Sequence, residues 1–254
     1  MSSITLEPKD GSMHVRVLVP GLEDEPFVII FPESIGARDD LPAHKEVKPE
    51  WETLPDGGLG YTWHKEDWVH VRAEMRPGAD FIDMNLTVKN LSEKTWNEVF
   101  AFNCLSPDAG EADAPSFRTP QSRGTFIVTE GGLTKIGEIP PHNGPNPKLH
   151  FIFTRETIDL PRCYYESLQN SHDTPVTESF IATVSQDGER VIAMACKQAL
   201  FLFQNDQFTC IHASPFFGDM APGEERSIRQ RGYFMQASLE EVHDRYRREF
   251  GVGK

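Results

Sequence analysis

The sequence predicts an all-β fold, a large antiparallel two-sheet β-sandwich completed by one C-terminal helix. Three observations carry that expectation. Apolar and polar residues alternate with period two through most of the chain, the pattern of strands with one face in a core. Glycine and proline, 19 of each among 254 residues, cut the chain into short segments. Helical spacing is persuasive in one place only, the last stretch before the C-terminus. No repeat and no low-complexity linker divides the chain, so residues 1–254 read as one domain.

In chain order, residues 14–19 alternate Val15, Val17 and Val19 against His14, Arg16 and Leu18. Residues 27–31 form an apolar run of strand length. Residues 32–60, with Pro32, Pro42, Pro49, Pro55 and Gly57-Gly58, read as an irregular segment. Residues 68–75 set Val69, Val71, Ala73 and Met75 against Trp68, His70, Arg72 and Glu74. After Pro77-Gly78 the alternation resumes, with Ile82, Met84, Leu86 and Val88 opposite Phe81, Asp83, Asn85, Thr87 and Lys89. Further strands are expected at 99–105, 125–129 and 149–155, separated by a polar stretch at 106–124 and a proline-rich one at 139–147. Loops that long are commonly binding loops, lids or edge covers. Two hairpins follow, 178–186 with 190–196 and 200–204 with 208–213, for which Asp187-Gly188 and Asn205-Asp206 suit two-residue loops. A last strand spans 225–235. The helix, about 238–250, opens with a capping box in which Ser238 is the N-cap and Glu241 its reciprocal partner. Leu239, Val242, Tyr246 and Phe250 share one stripe, and Gly251 ends the run.

The hairpin through Pro77-Gly78 can be registered from its apolar side. Pairing Val71 with Met84 also pairs Val69 with Leu86 and Ala73 with Ile82, and a slip by one residue would bury charge. This places Arg72 opposite Asp83 and His70 opposite Asn85 on a polar face that also carries Glu74 and Thr87. Sugars suit such a mixture, because hydroxyls donate and accept hydrogen bonds. If this face lines a ligand cleft, Arg72 is held by Asp83 and His70 by Asn85. An ordinary solvent-facing sheet with a cross-strand ion pair has the same pattern.

In the later hairpin, pairing Phe203 with Phe208 sets Phe201 opposite Cys210 and Ala199 opposite His212. His212 then shares a face with Phe201, Phe203, Phe208 and Cys210, at the lip of a pocket formed by the irregular 213–219. Burial lowers an imidazole pKa and leaves a base neutral near pH 7; a structural histidine bonded to a backbone carbonyl fits the same position. His150 opens its strand at the rim of the proline-rich loop. Arg162, Tyr164 and Glu166, on one side of an alternating segment, add candidates for carbohydrate or anion recognition. The candidate catalytic groups are thus His212 and His150, and the candidate binding groups His70, Arg72, Asp83, Asn85, Arg162 and Tyr164.

Lys and Arg total 25 against 39 Asp and Glu, a formal charge of −14. Such a surface repels phosphate backbones and anionic lipid, which argues against nucleic-acid and membrane partners. No apolar run approaches the roughly 20 residues of a membrane span. The first residues contain neither a basic segment nor an apolar one of signal-peptide type, so a cytoplasmic protein is the expectation. The four cysteines, Cys104, Cys163, Cys196 and Cys210, form no C-x-x-C pair and are expected to be reduced. No H-x-H, H-E-x-x-H, G-x-S-x-G, Walker A or dinucleotide motif is present, and no metal or cofactor is assigned; nine histidines leave open a metal site assembled from distant strands.

Two stretches resemble the galactose mutarotase-like supersandwich proteins. Phe81-Ile82-Asp83-Met84-Asn85-Leu86-Thr87-Val88-Lys89-Asn90-Leu91-Ser92 is similar to the family's strand ending in V-x-N-x-S. Cys210-Ile211-His212-Ala213-Ser214-Pro215, followed by Met220-Ala221-Pro222-Gly223-Glu224-Glu225, is similar to its late strand, irregular loop, P-G-E turn and final strand. The resemblance implies a twisted sandwich with a sugar site on the concave face of one sheet. It also implies chemistry by a general base and acid, typically a Glu and a His, without cofactor. His212 compares with the His; no residue aligns with the Glu. Two functions therefore stand side by side. One is a cofactor-independent acid–base enzyme on a sugar or sugar-derived substrate, epimerase-, isomerase- or lyase-like. The other is a non-catalytic carbohydrate-binding or interaction module with Trp51, Trp63 or Trp68 as platform. Either takes a small-molecule or oligosaccharide ligand.

Overall fold

The computed structural model describes residues 3–38, 48–108, 112–118, 123–160 and 170–253. Its strands are β1 (Thr5–Pro8), β2 (His14–Leu18), β3 (Phe27–Gly36), β4 (Glu52–Thr53), β5 (Leu59–Lys65), β6 (Val69–Pro77), β7 (Phe81–Asn90) and β8 (Trp96–Ser106). There follow β9 (Thr125–Thr129), β10 (Gly132–Lys135), β11 (Leu149–Phe153), β12 (Phe180–Val184), β13 (Val191–Cys196), β14 (Ala199–Asn205), β15 (Cys210–Met220) and β16 (Glu225–Met235). The helix α1 (Leu239–Phe250) ends the described secondary structure. A seven-stranded sheet runs in the order β1-β2-β3-β8-β15-β14-β11, and a nine-stranded sheet in the order β10-β9-β12-β13-β16-β7-β6-β5-β4.

Alternation builds both sheets. Val15, Val17, Phe27, Ile29, Leu202 and Ile211 from one and Val71, Ala73, Ile82, Met84, Leu86 and Val88 from the other meet in a shared core. Two further apolar layers lie outside it. The seven-stranded sheet carries Phe100, Phe151, Phe153, Phe201, Phe203, Cys104 and Cys210 on its outer face. On the nine-stranded sheet, Phe180, Ala182, Ala193, Ala195 and Tyr233 receive Leu239, Val242 and Tyr246 of α1. The capping box forms as expected, with Ser238 Oγ accepting from the Glu241 N–H and the Glu241 side chain accepting from the Ser238 N–H. Gly251 closes the helix at φ 68°, a left-handed conformation that costs a glycine little.

Both hairpin registers differ from the sequence expectation by the same amount. Val71 faces Val88 rather than Met84, four positions along β7, so Ala73 pairs with Leu86 and Met75 with Met84. Phe203 faces His212 rather than Phe208, again four positions on. A slip of four keeps every side chain on its face, so the apolar pattern cannot detect it. Turn geometry decides instead. The Gly78 N–H bonds the Phe81 carbonyl at 2.7 Å, which brings Pro77 against Ile82 and pairs the strands to their ends. The Asn205-Asp206 and Asp187-Gly188 loops are likewise longer than two residues: Asn205 pairs with Cys210, and the Ser185 N–H reaches the Arg190 carbonyl.

Three boundaries also move. β3 continues through Pro32 to Gly36, its ladder with β8 lapsing between Ile30 and Ser34, where a residue without N–H is tolerated. β15 runs on to Met220 through register shifts around Gly218, a stretch expected to be irregular. β5, at the end of the segment read as irregular and beyond it, completes a pair with β6.

Candidate functional site

β15 projects Cys210 and His212 onto the outer face of the seven-stranded sheet. His212 is 1% exposed. The Phe102 ring stacks on it at 4.1 Å between centroids, 16° from parallel, and Phe203 closes one side at 4.9 Å. Its Nε2 lies 3.3 Å from Cys210 Sγ. Its Nδ1 lies 3.8 Å from Glu33 Oε2. Glu33 sits where the β3–β8 ladder lapses, and its side chain is 36% exposed although Oε2, the oxygen nearest His212, is buried.

Among the described residues, His212 Nδ1 and Glu33 Oε2 are both buried without a hydrogen-bond partner. They face each other across a gap too long for a hydrogen bond. Burial raises the Glu33 carboxyl above its ordinary range, while the neighbouring His212 acts in the opposite direction. A hydrogen bond between the two buried thiols holds Cys210 low and Cys104 high. His212, Cys104 and Cys210 offer donor atoms within 4.8 Å of one another. Cys104, Cys196 and Cys210 are free thiols; Cys163 lies outside the described residues.

His150 belongs to a second cluster. Phe151 and Phe153 point outward and Ile152 into the core, so alternation puts His150 on the opposite side of β11 from the His212 layer. His150 Nδ1 lies 3.0 Å from His172 Nε2, and its Nε2 lies 3.4 Å from Asp206 Oδ2. His142 joins them from the proline-rich loop, its centroid 4.9 Å from that of His172. Burial lowers His142, and it pushes His172 down to about 4.

His70, Arg72, Asp83 and Asn85 share the outer face of the nine-stranded sheet, with the whole core between them and His212. The pairings expected for them are replaced because the register differs. Arg72 faces Thr87 and, with its side chain 58% exposed, pairs with Glu74. His70 lies between His64 and Lys89, and Asn85 between Glu74 and Arg229. Asp83 accepts from Arg229 Nε at 2.9 Å and from Arg231 Nε at 2.8 Å and Nη2 at 2.5 Å. Burial works against the Asp83 carboxylate, but the two guanidiniums outweigh it and hold its pKa below the ordinary value. Arg162 and Tyr164 fall outside the described residues.

The tryptophans offer no flat platform among the described residues. Trp63 and Trp68 meet edge to face at 6.2 Å, and Trp51 packs against Tyr61 with its indole N–H on the Ser12 carbonyl. Among the described residues, Phe208 is the large hydrophobic residue left exposed.

Sequence reasoning missed Glu33. A carboxylate immediately after an apolar strand run and a proline, Phe27-Val28-Ile29-Ile30-Phe31-Pro32-Glu33, is the available signal, since proline marks a break in the ladder. It also missed a second Glu–His pair. Glu178 accepts from His243 at 2.8 Å and from Arg247 Nε at 2.9 Å, beside a groove of about 600 Å³ lined also by Glu130, Leu133 and Arg155. Both Glu178 oxygens are occupied, and both donors come from α1, so this pair anchors the helix.

No protein-family model matches the sequence, and no curated protein matches it. Solved structures do. The chain is similar to a galactose mutarotase-like protein from Lactobacillus casei, at 9% identity over 92% of this chain and 98% of that one, with a TM-score of 0.53. It is similar to an alpha-N-acetylgalactosaminidase from Bifidobacterium bifidum in complex with GalNAc, at 13% identity over 99% of this chain and 39% of that one, with a TM-score of 0.56. A galactose mutarotase related enzyme from Lactobacillus acidophilus aligns at 9% identity over 93% and 98% of the two chains, with a TM-score of 0.46. At these identities the likeness concerns the fold, and the fold is that of the galactose mutarotase-like sandwich.

Proposed function

We propose that this chain is a cofactor-independent acid–base enzyme acting on a sugar or sugar-derived substrate, with His212 and Glu33 as its proton-transferring pair. The observation that carries the reading is the approach of two buried, unpartnered polar atoms, His212 Nδ1 and Glu33 Oε2, to 3.8 Å. Buried polar atoms normally find partners, and unsatisfied ones often mark a place where a ligand supplies the missing bond. A substrate hydroxyl lying beside this 3.8 Å pair, rather than between its atoms, reaches both at hydrogen-bond length, donating to the carboxylate and accepting from the imidazole.

The environment of the pair supports this reading. Burial raises the Glu33 pKa toward the range useful to a general acid or base near neutrality. Phe102 fixes the imidazole plane, so proton transfer requires no large reorientation. Phe102 and Phe216, both half-buried, give an apolar wall of the kind against which the C–H face of a sugar ring packs. The packed tryptophans favour this reading over a binding module, which needs an exposed aromatic surface.

The test is a panel of aldoses and uronic acids, with anomer and epimer exchange followed by NMR. The wild type is expected to accelerate exchange of at least one of them. His212→Asn and Glu33→Gln are each expected to lose about 10²–10⁴-fold, the range of general acid–base contributions. Binding without turnover would transfer the chain to the binding-module class. Unchanged turnover in both variants would remove this pair from the mechanism.

A further inference from the structure

Away from the His212 cluster, three chain segments bring imidazoles together at the β11 edge of the seven-stranded sheet. The proline-rich loop supplies His142, β11 supplies His150, and the segment beyond residue 169 supplies His172. That last segment is fixed there by the His172 N–H on the Phe151 carbonyl at 2.8 Å, and Asn170 Oδ1 holds the loop through the Asn146 N–H at 2.9 Å. One nitrogen from each histidine lies within 4.8 Å of the other two.

Donor and acceptor accounting makes the arrangement informative. His172 Nδ1 faces the Pro140 carbonyl at 2.9 Å, and a carbonyl only accepts, so that nitrogen carries hydrogen and Nε2 of the neutral ring presents a lone pair. His150 Nε2 faces the Asp206 carboxylate at 3.4 Å, which favours hydrogen there and a lone pair at Nδ1. His150 Nδ1 and His172 Nε2 stand 3.0 Å apart, a hydrogen bond when one of them carries hydrogen. With hydrogen on the outer nitrogen of each ring, both inner nitrogens present lone pairs to one place, where a cation replaces the shared proton. The outer partners, a backbone carbonyl and a carboxylate, are those that orient metal-bound histidines.

We propose that His142, His150 and His172 form a site for a divalent transition metal of the zinc class, which ties the proline-rich loop to the β11 edge. A zinc ion about 2.0–2.1 Å from each nitrogen bridges His150 and His172 with little movement. His142 Nδ1 accepts from the Gly144 N–H at 3.0 Å and the ring also bonds the Leu149 backbone, so ligation by His142 replaces one of these bonds. Three imidazoles without a thiol suit zinc, cobalt, nickel or copper rather than magnesium or calcium. With three protein ligands, water takes the fourth position. Asp206 and Asp173 place negative charge beside the cation. The ion's role is structural, and the chemistry proposed at His212 does not depend on it.

The experiment uses the full chain without an affinity tag, stripped with a chelator and titrated with cobalt(II) and zinc(II). One equivalent is expected to bind, cobalt with the intense visible bands of a four-coordinate ion, and zinc with a raised Tm because it binds the folded state. Magnesium and calcium are expected to do neither. His142→Ala, a half-buried loop position, and His172→Gln are each expected to weaken binding more than about 10-fold, the lower end of what disturbing a ligand shell costs. Cys104→Ser/Cys210→Ser is expected to bind as the wild type does, which separates this site from the thiol cluster. No stoichiometric binding, or binding lost in the cysteine variant and kept in the histidine variants, overturns the proposal. The His142→Ala result stands even if His172→Gln does not fold.

Discussion

The worth of a charged side chain here depends on what it is buried against, and Arg72 and Asp83 show the contrast. Arg72 lies over solvent and, among the described residues, its side chain bonds only to Glu74, a pairing worth well under ~1 kcal/mol. Asp83 instead receives Arg231, which is 6% exposed and lies over the Phe81 ring at 3.8 Å. Arg72→Ala is therefore expected to change stability by about 0.5 kcal/mol or less. Asp83→Asn should cost about 1–3 kcal/mol, because it weakens charge-assisted hydrogen bonds to a buried guanidinium. Denaturant midpoints at constant m-value check both, and equal losses would show that the Asp83–Arg231 contact contributes nothing special. The polar character of this face was legible in the alternation of β6 and β7. Its partnerships were not, because Arg229 and Arg231 arrive from β16, whose place beside β7 no local pattern announces. Glu33 was hidden for the related reason that its partner, His212, is remote in sequence and reaches it only through the order β3-β8-β15.

At the scale of the element, α1 was the most legible part of the chain. Its start, stripe and stop are all local signals, and each appears where the residues put it. Ser238→Ala is expected to cost about 1 kcal/mol, the usual value of an N-cap side chain, read as a lower Tm. The helix is also held from its other face by a titratable contact. Burial works against the Glu178 carboxylate, but hydrogen bonds from His243 and Arg247 outweigh it and hold its pKa below the ordinary value. A carboxylate depressed in the folded state stabilises fully above its unfolded pKa, near 4.5. That stabilisation is lost as pH falls through the folded value. Stability is thus expected to decline below about pH 4.5, more steeply in the wild type than in Glu178→Gln, which has no such proton to take up. Parallel curves for the two proteins across acid pH would show that the anchor does not titrate as described. The hairpins were less legible than the helix. Alternation chose the correct faces for β6, β7, β14 and β15, yet it is blind to even slips, and only the turns at Gly78–Phe81 and Asn205–Cys210 resolve them.

At the scale of the molecule, the two sheets share one apolar interior while each carries a further apolar layer outside. Met84, fully buried, sits where side chains of both sheets meet. Met84→Ala removes buried volume there and is expected to cost about 2–5 kcal/mol. Val71→Asp, which sets an unpaired charge in the same interior, is expected to prevent folding. If residues 1–254 act as one domain, the loss caused by Met84→Ala must appear equally in probes that lie on opposite outer faces. Hydrogen exchange of the α1 amides follows the nine-stranded sheet. The reactivity of the buried Cys104 and Cys210 thiols follows the seven-stranded one. A single cooperative unit gives coincident transitions, shifted together by the substitution. Separation of the two curves, with the thiols exposed while the helix signal persists, would mean that the interior couples the sheets weakly and that each sheet with its outer layer unfolds on its own.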